Sequence, residues 1–220
     1  MKKVAVIVFP GSNCDHDAYN VFKSIDNAYV SFVWHKENCL KDYDVIVIPG
    51  GFSYGDYLRA GAIARFSPIM KAVVKESNKG KKVIGICNGF QILIESGLLP
   101  GALINNKNIK FLSKMVELKV VNNQTSFTHL FKMNDVLRMP IAHKQGNYIA
   151  DDSLIAELKD NNQIAFTYED ENLNGSVLDI AGIFNEKKNV LGMMPHPERA
   201  SDRILGSVGG YDIFKSILGE

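Results

Sequence analysis

The sequence predicts an α/β protein: a single domain over residues 1–220 with a mostly parallel central sheet, flanked by helices and continued in its second half by a mixed or antiparallel extension. Three observations predict it. In the first half, short β-branched and apolar runs alternate with helical stretches, the order that builds parallel sheets. In the second half, strand-like runs succeed one another with few helices between them. No repeat, low-complexity tract or long linker marks a domain boundary.

Val4–Phe9 is a nearly continuous apolar run, the pattern of a strand buried on both faces. It is too short for a secretory leader, and no small-residue cleavage site follows. Asn13 is the predicted cap of the next helix, with Asp15 and Asp17 in the first turn, where the helix dipole favours acids. That helix runs to about Ile25. Ala28–Trp34 and Val45–Ile48 are the next strands, the latter stopped by Pro49-Gly50-Gly51. The glycine-spaced segment Tyr54–Arg65 is predicted helical, and a further helix covers Pro68–Ser77. Val83–Ile86 is a strand leading through Cys87 into a helix over Phe90–Ser96, closed by Gly97. Met115–Val121, Val136–Ala142, Gln163–Tyr168, Ile180–Phe184 and Val190–Met194 read as strands, and Asp212–Leu218 as a terminal helix.

Composition narrows the function. Apolar content of 46% and charged content of 22% are those of a soluble globular protein. A net charge of +1 without a basic block gives no reason to invoke nucleic acid. No apolar stretch approaches the ~20 residues that span a membrane. Three cysteines without a disulfide-framework spacing suit a reducing, cytoplasmic setting.

The chemistry concentrates in three segments. Gly85-Ile86-Cys87-Asn88-Gly89 places a cysteine on a sharp strand-to-helix turn, with glycines where side chains would clash. A thiol at a helix N-terminus is favoured as thiolate, the nucleophilic form. Pro195-His196-Pro197-Glu198 supplies a base and a carboxylate two residues apart, so Cys87, His196 and Glu198 form a candidate nucleophile triad. The prolines are expected to keep this segment extended, with both side chains on one side. Pro49-Gly50-Gly51-Phe52 offers backbone amides for an oxyanion hole at Gly51 and Phe52, and Asn88, just after the nucleophile, offers another. No Walker or G-x-G-x-x-G fingerprint accompanies them. Cys39 lacks flanking glycines and reads as structural. Asn13-Cys14-Asp15-His16-Asp17 clusters groups of metal-binding or acid–base type, yet its spacing fits no zinc site and helix capping accounts for the acids. No metal ligand is assigned.

These segments resemble the class I, triad-type glutamine amidotransferases, whose fold is flavodoxin-like. Longer blocks narrow the likeness: Phe9-Pro10-Gly11-Ser12-Asn13-Cys14-Asp15, the run from Pro49-Gly50-Gly51 through Phe52-Ser53-Tyr54-Gly55-Asp56 to Ala62, Pro140-Ile141-Ala142-His143, and Val190 through His196 to Ala200. They are similar to the glutaminase subunits of phosphoribosylformylglycinamidine synthases, and they run from the first strand nearly to the C-terminus.

The resemblance implies that L-glutamine is hydrolysed at Cys87 and that ammonia passes to an ATP-dependent synthetase converting formylglycinamide ribonucleotide to the amidine in purine biosynthesis. It implies two partners, a large synthetase subunit and a small bridging subunit. ATP and Mg belong to the synthetase, and no cofactor to this chain. It places Gln91 and His143 at the glutamine pocket and Tyr54–Ala62 near the site, facing the partner. After Ala142-His143 the family usually carries Gly-Glu-Gly, whereas this chain has Lys144-Gln145-Gly146, which keeps size and hydrogen bonding but loses a charge. The competing readings are an amidotransferase serving another acceptor, a cysteine hydrolase of related fold, and a non-enzymatic relative. The presence of all three triad residues speaks against the last.

Overall fold

The computed structural model describes residues 1–169 and 172–220. In chain order the elements are β1 (Lys2–Val8), α1 (Asp15–Lys23), β2 (Ala28–Trp34), β3 (Val45–Ile48), α2 (Pro68–Asn78), β4 (Lys82–Ile86), α3 (Asn88–Glu95) and β5 (Ala102–Ile104). There follow β6 (Leu112–Val120), β7 (Val136–His143), β8 (Asn147–Ile149), α4 (Asp152–Asp160), β9 (Ile164–Tyr168), β10 (Ile180–Phe184), β11 (Val190–Met193) and α5 (Tyr211–Leu218).

Nine strands form one sheet in the order β2-β1-β3-β4-β11-β10-β9-β6-β7, and β5 pairs with β8 in a separate ribbon. The first five are mutually parallel; from β11 to β7 every pairing is antiparallel. This is the α/β architecture and the mixed extension that the sequence predicts. Apolar runs become central strands for the expected reason: all of β3, β10 and β11 is buried, as is Val4–Ile7 of β1. Helices α1 and α5 close on each other through an edge-to-face contact of Phe22 and Phe214, centroids 5.0 Å apart, a geometry aromatic rings favour.

One connection positions the chemistry. Strand β11, late in the chain, inserts beside β4 in parallel, with Met193 opposite Ile86. The segments leaving both C-terminal ends therefore emerge side by side, where open parallel sheets hold their ligands.

The structure corrects several expectations. Tyr54–Arg65 is not a helix. Two short 3₁₀ turns, Ser53–Asp56 and Ala64–Phe66, bracket an irregular loop in which Tyr54, Gly55, Asp56, Leu58 and Gly61 all have positive φ. Left-handed residues at that density exclude a right-handed helix. Asn13 does not cap α1; Cys14 occupies that position without a side-chain cap bond, while Asp15 and Asp17 do lie in the first turn. Helix α4 was not anticipated. Its start is an Asp151 side chain accepting from the Leu154 amide at 2.8 Å, and with Leu158 as its one buried residue it carries no apolar stripe to mark it as a helix. Strands β5 and β8, three residues each, carry too little pattern to be read.

Gly89 shows how tightly the turn after β4 is packed: a methyl group there would overlap the carbonyl oxygen of Ile48. Backbone cannot yield as a flexible side chain can. Gly89→Ala is expected to lower stability by about 2 kcal/mol or more, measured by urea unfolding. A change below about 0.5 kcal/mol would contradict this packing.

Candidate active site

Cys87 occupies the turn between β4 and α3 with φ 50° and ψ −105°, a backbone conformation that L-residues rarely adopt. The turn is held on both sides. The Cys87 amide donates to the Met193 carbonyl at 2.7 Å, extending the β4–β11 ladder by one residue, and the Cys87 carbonyl accepts from the Gln91 amide at 3.2 Å. The sulfur is buried, 3.7 Å from the Ala142 carbonyl oxygen.

The β11 side supplies the histidine. The His196 amide donates to the Pro140 carbonyl at 2.9 Å. Its ring Nδ1 lies 2.6 Å from Glu198 Oε1, and both residues are only 2% exposed. The segment is not extended, as the prolines suggested. Pro197–Arg199 makes a single 3₁₀ turn, because proline at the first helical position gives up only an amide that would have no partner there anyway. Burial opposes a charged imidazole here, but the Glu198 carboxylate and the Cys87 sulfur outweigh it and hold His196 well above its ordinary pKa of 6.5. With Nδ1 committed to Glu198, Nε2 has no hydrogen-bond partner among the described residues.

The glycine-rich loop packs against the elbow through Asn88. Its side chain accepts from the Ser53 amide at 3.1 Å and donates to Asp56 Oδ1 at 3.3 Å and to Gln91 Oε1 at 2.9 Å. The Phe52 amide donates to the Gly11 carbonyl at 2.8 Å. That bond removes Phe52 from the free donors expected around an oxyanion. Gly51 and the first-turn amide of Asn88 have no such bond among the described residues.

Gln91 and His143 both line a cavity of about 230 Å³ that opens at Cys87. Gln91 has little left to offer a ligand: its Nε2 donates to the Gln145 carbonyl at 2.6 Å and its Oε1 serves Asn88. His143 is pushed down to about 4 by burial and the neighbouring His196 and is neutral. Asn106, whose own amide group donates to the Lys110 and His143 carbonyls, accepts from His143 Nδ1 at 3.1 Å. His143 Nε2 is thus left as a buried acceptor without a partner.

Three contributors escaped the sequence reading. Asp56 lines the cavity, and burial raises its pKa to about 6 against the opposing Asn88 hydrogen bond. Phe111, exposed by half, lines it too. Cys14 sits behind His196: its sulfur, the imidazole and the Glu198 carboxylate offer atoms within 4.8 Å of one another. The Cys14 sulfur also accepts from Arg199 Nη2 at 3.2 Å, while Arg199 Nε pairs with Asp17 at 3.0 Å. The Asn-Cys-Asp block thus packs under the His-Pro-Glu segment, a long-range contact that spacing along the chain cannot reveal. Cys39, read as structural, is exposed.

A cysteine on a strained strand–helix turn, beside a buried His–Glu pair at the end of the adjoining parallel strand, is the arrangement of an α/β enzyme with a cysteine nucleophile. A family model described as the CobB/CobQ-like glutamine amidotransferase domain matches residues 1–209. PurLQS from Thermotoga maritima is similar at 45% identity over 99% of this chain and 98% of that one, with a TM-score of 0.91. A glutamine amidotransferase from Thermotoga maritima shares the fold at 17% identity, covering 99% of this chain and 96% of that one (TM-score 0.64). So does the glutaminase domain of CTPS from Trypanosoma brucei with bound acivicin, at 10% identity over 100% and 95% (TM-score 0.64). The chain belongs to the CobB/CobQ-like glutamine amidotransferase domain family.

The electrostatics make a direct prediction. Without the Glu198 charge, the largest of the contributions that raise it is lost and the His196 pKa falls. In Glu198→Gln, NMR titration of the His196 ring is expected to show a midpoint well below that of the unsubstituted protein; an unchanged midpoint would contradict the assigned coupling.

Proposed function

We propose that this chain is the glutaminase subunit of a phosphoribosylformylglycinamidine synthase. The observation that carries the reading is the 2.6 Å His196–Glu198 pair set beside Cys87 where β11 and β4 end together. The full-length likeness to PurLQS supports the choice of synthase among amidotransferases.

The chemistry follows from the geometry. The Cys87 thiolate attacks the side-chain amide carbon of L-glutamine, and the resulting oxyanion is held by the backbone amides of Gly51 and Asn88. His196, kept charged by Glu198 and the Cys87 sulfur, gives its proton to the leaving nitrogen, so the C–N bond breaks as ammonia departs and a thioester forms. The imidazole, now neutral, takes a proton from water, which attacks the thioester and releases glutamate. Glu198 holds the ring orientation throughout. Gln91 acts as a brace between Asn88 and the Gln145 carbonyl, and His143 presents a neutral acceptor to the substrate.

Ammonia then passes to a large ATP-dependent synthetase subunit, joined with a small bridging subunit, and replaces the oxygen on the glycinamide carbonyl carbon of formylglycinamide ribonucleotide, that oxygen leaving with phosphate while the formyl group stays intact. The loop over residues 54–62 carries Tyr57 and Leu58 at 72% and 78% exposure next to the cavity mouth, an apolar rim fit for that contact. No described helix is long and apolar enough to cross a membrane, and cytoplasmic assembly with the purine pathway is part of the reading.

The test is Cys87→Ala in the reconstituted synthase. Glutamine-dependent amidine formation should fall by about 10³-fold or more, while formation from added ammonia stays within about twofold, since the synthetase chemistry lies on another chain. Retained glutamine use by this variant would overturn the nucleophile assignment.

A further inference from the structure

The cavity at Cys87 carries charge that the triad does not use. Its volume of about 230 Å³ lies below the ~300–1,000 Å³ of pockets for drug-sized ligands, so its occupant is of amino-acid size. Among the described residues lining it, Asp56 is the one carboxylate and Lys144 the one ammonium. Nucleophile, anion and cation thus stand at three places around one small space. That is the complement of a molecule carrying a reactive side-chain amide, an α-ammonium and an α-carboxylate.

Asp56 is the unusual member. It is held in a left-handed conformation, φ 53°, within a loop tied down by Tyr54, whose hydroxyl meets His35 Nδ1 at 2.8 Å and Ser67 Oγ at 2.9 Å. Half-buried, it has no ion-pair partner among the described residues. The nearby Arg59 is engaged in a bidentate pair with Glu95 at 2.6 and 2.7 Å. Among the described residues, the side-chain contact of the Asp56 carboxylate is the long 3.3 Å bond from Asn88 Nδ2. A partly desolvated carboxylate without a cation is costly, and the same carboxylate opposite a bound ammonium is not. Burial raises the Asp56 pKa to about 6, opposed only in part by the Asn88 hydrogen bond.

We propose that Asp56 binds the α-ammonium group of the substrate and is the residue that distinguishes an amino acid from a simple carboxamide. The inference rests on the glutaminase reading and deepens it. It also links recognition to chemistry, because Asn88 touches Asp56 with its side chain and offers its backbone amide beside Cys87.

The test compares L-glutamine with glutaramate, the same amide lacking the α-amino group, as glutaminase substrates of the assembled enzyme. The unsubstituted enzyme should prefer glutamine by at least about tenfold in kcat/KM, the scale of one charge-assisted hydrogen bond. Asp56→Asn keeps the side-chain size, the oxygen that accepts from Asn88 and a residue tolerant of positive φ. In it, kcat/KM for glutamine should fall about 10- to 100-fold, mostly through KM, while glutaramate changes by less than about threefold, so the preference collapses. Equal losses on both substrates, or a preserved preference, would overturn the role. So would an unsubstituted enzyme that does not discriminate, a result independent of any variant's folding. Absence of hydrolysis of either substrate by that enzyme would overturn the glutaminase reading itself, and this inference with it.

Discussion

The parallel ladder between β4 and β11 is the constraint on which the rest of the structure depends. Cys87 and His196 are more than a hundred residues apart in sequence and belong to different halves of the chain. They meet because β11 leaves the antiparallel half of the sheet and pairs with β4 in register up to Ile86 and Met193. The bond from the Cys87 amide to the Met193 carbonyl carries this register into the turn itself. Triad geometry is therefore set by backbone hydrogen bonds in a rigid sheet, the most precise support a fold can give a site.

Around that ladder, strain and charge are spent locally. The left-handed Cys87 is a conformation costing on the order of 1–3 kcal/mol, balanced by the core packing of β4 and α3 against their neighbours. Glu198 and His196 are both buried, and each compensates the desolvation of the other. The glycine-rich loop adds a second layer. Its positive-φ residues turn the backbone so that Ser53, Asp56 and the elbow converge on the single side chain of Asn88. Ground-state hydrogen bonds also set limits, since the Phe52 amide, held by Gly11, is spent on holding the loop in place.

The sequence was most legible where local pattern and tertiary role coincide. The runs Val45–Ile48 and Ile180–Phe184 are strands with the boundaries expected of them, because burial on both faces leaves a continuous apolar signature, and the edge strand Ala28–Trp34, with only Val33 buried, is marked instead by its β-branched and aromatic residues. The elbow was legible because its glycines answer a local clash. The loop at 54–65 was not, because glycine spacing alone does not distinguish helix packing from consecutive left-handed turns. The resemblance placed the block holding Asp56 near the site, but the roles of Asp56 and Cys14 within it were illegible for a different reason. Their partners, Asn88 and Arg199, lie on other elements, and only the folded chain brings them together.

The central claim, that Cys87 alone among three cysteines is the glutamine-directed nucleophile, is tested most directly by covalent labelling. The assembled enzyme is treated with 6-diazo-5-oxo-L-norleucine, an electrophilic glutamine analogue, and adducts are mapped by peptide mass spectrometry. The exposed Cys39 and the buried Cys14 beside His196 serve as internal controls. The account predicts one adduct, on Cys87, suppressed by excess L-glutamine. Modification of Cys14 or Cys39 with Cys87 unmodified, or no adduct on the folded enzyme, would contradict it.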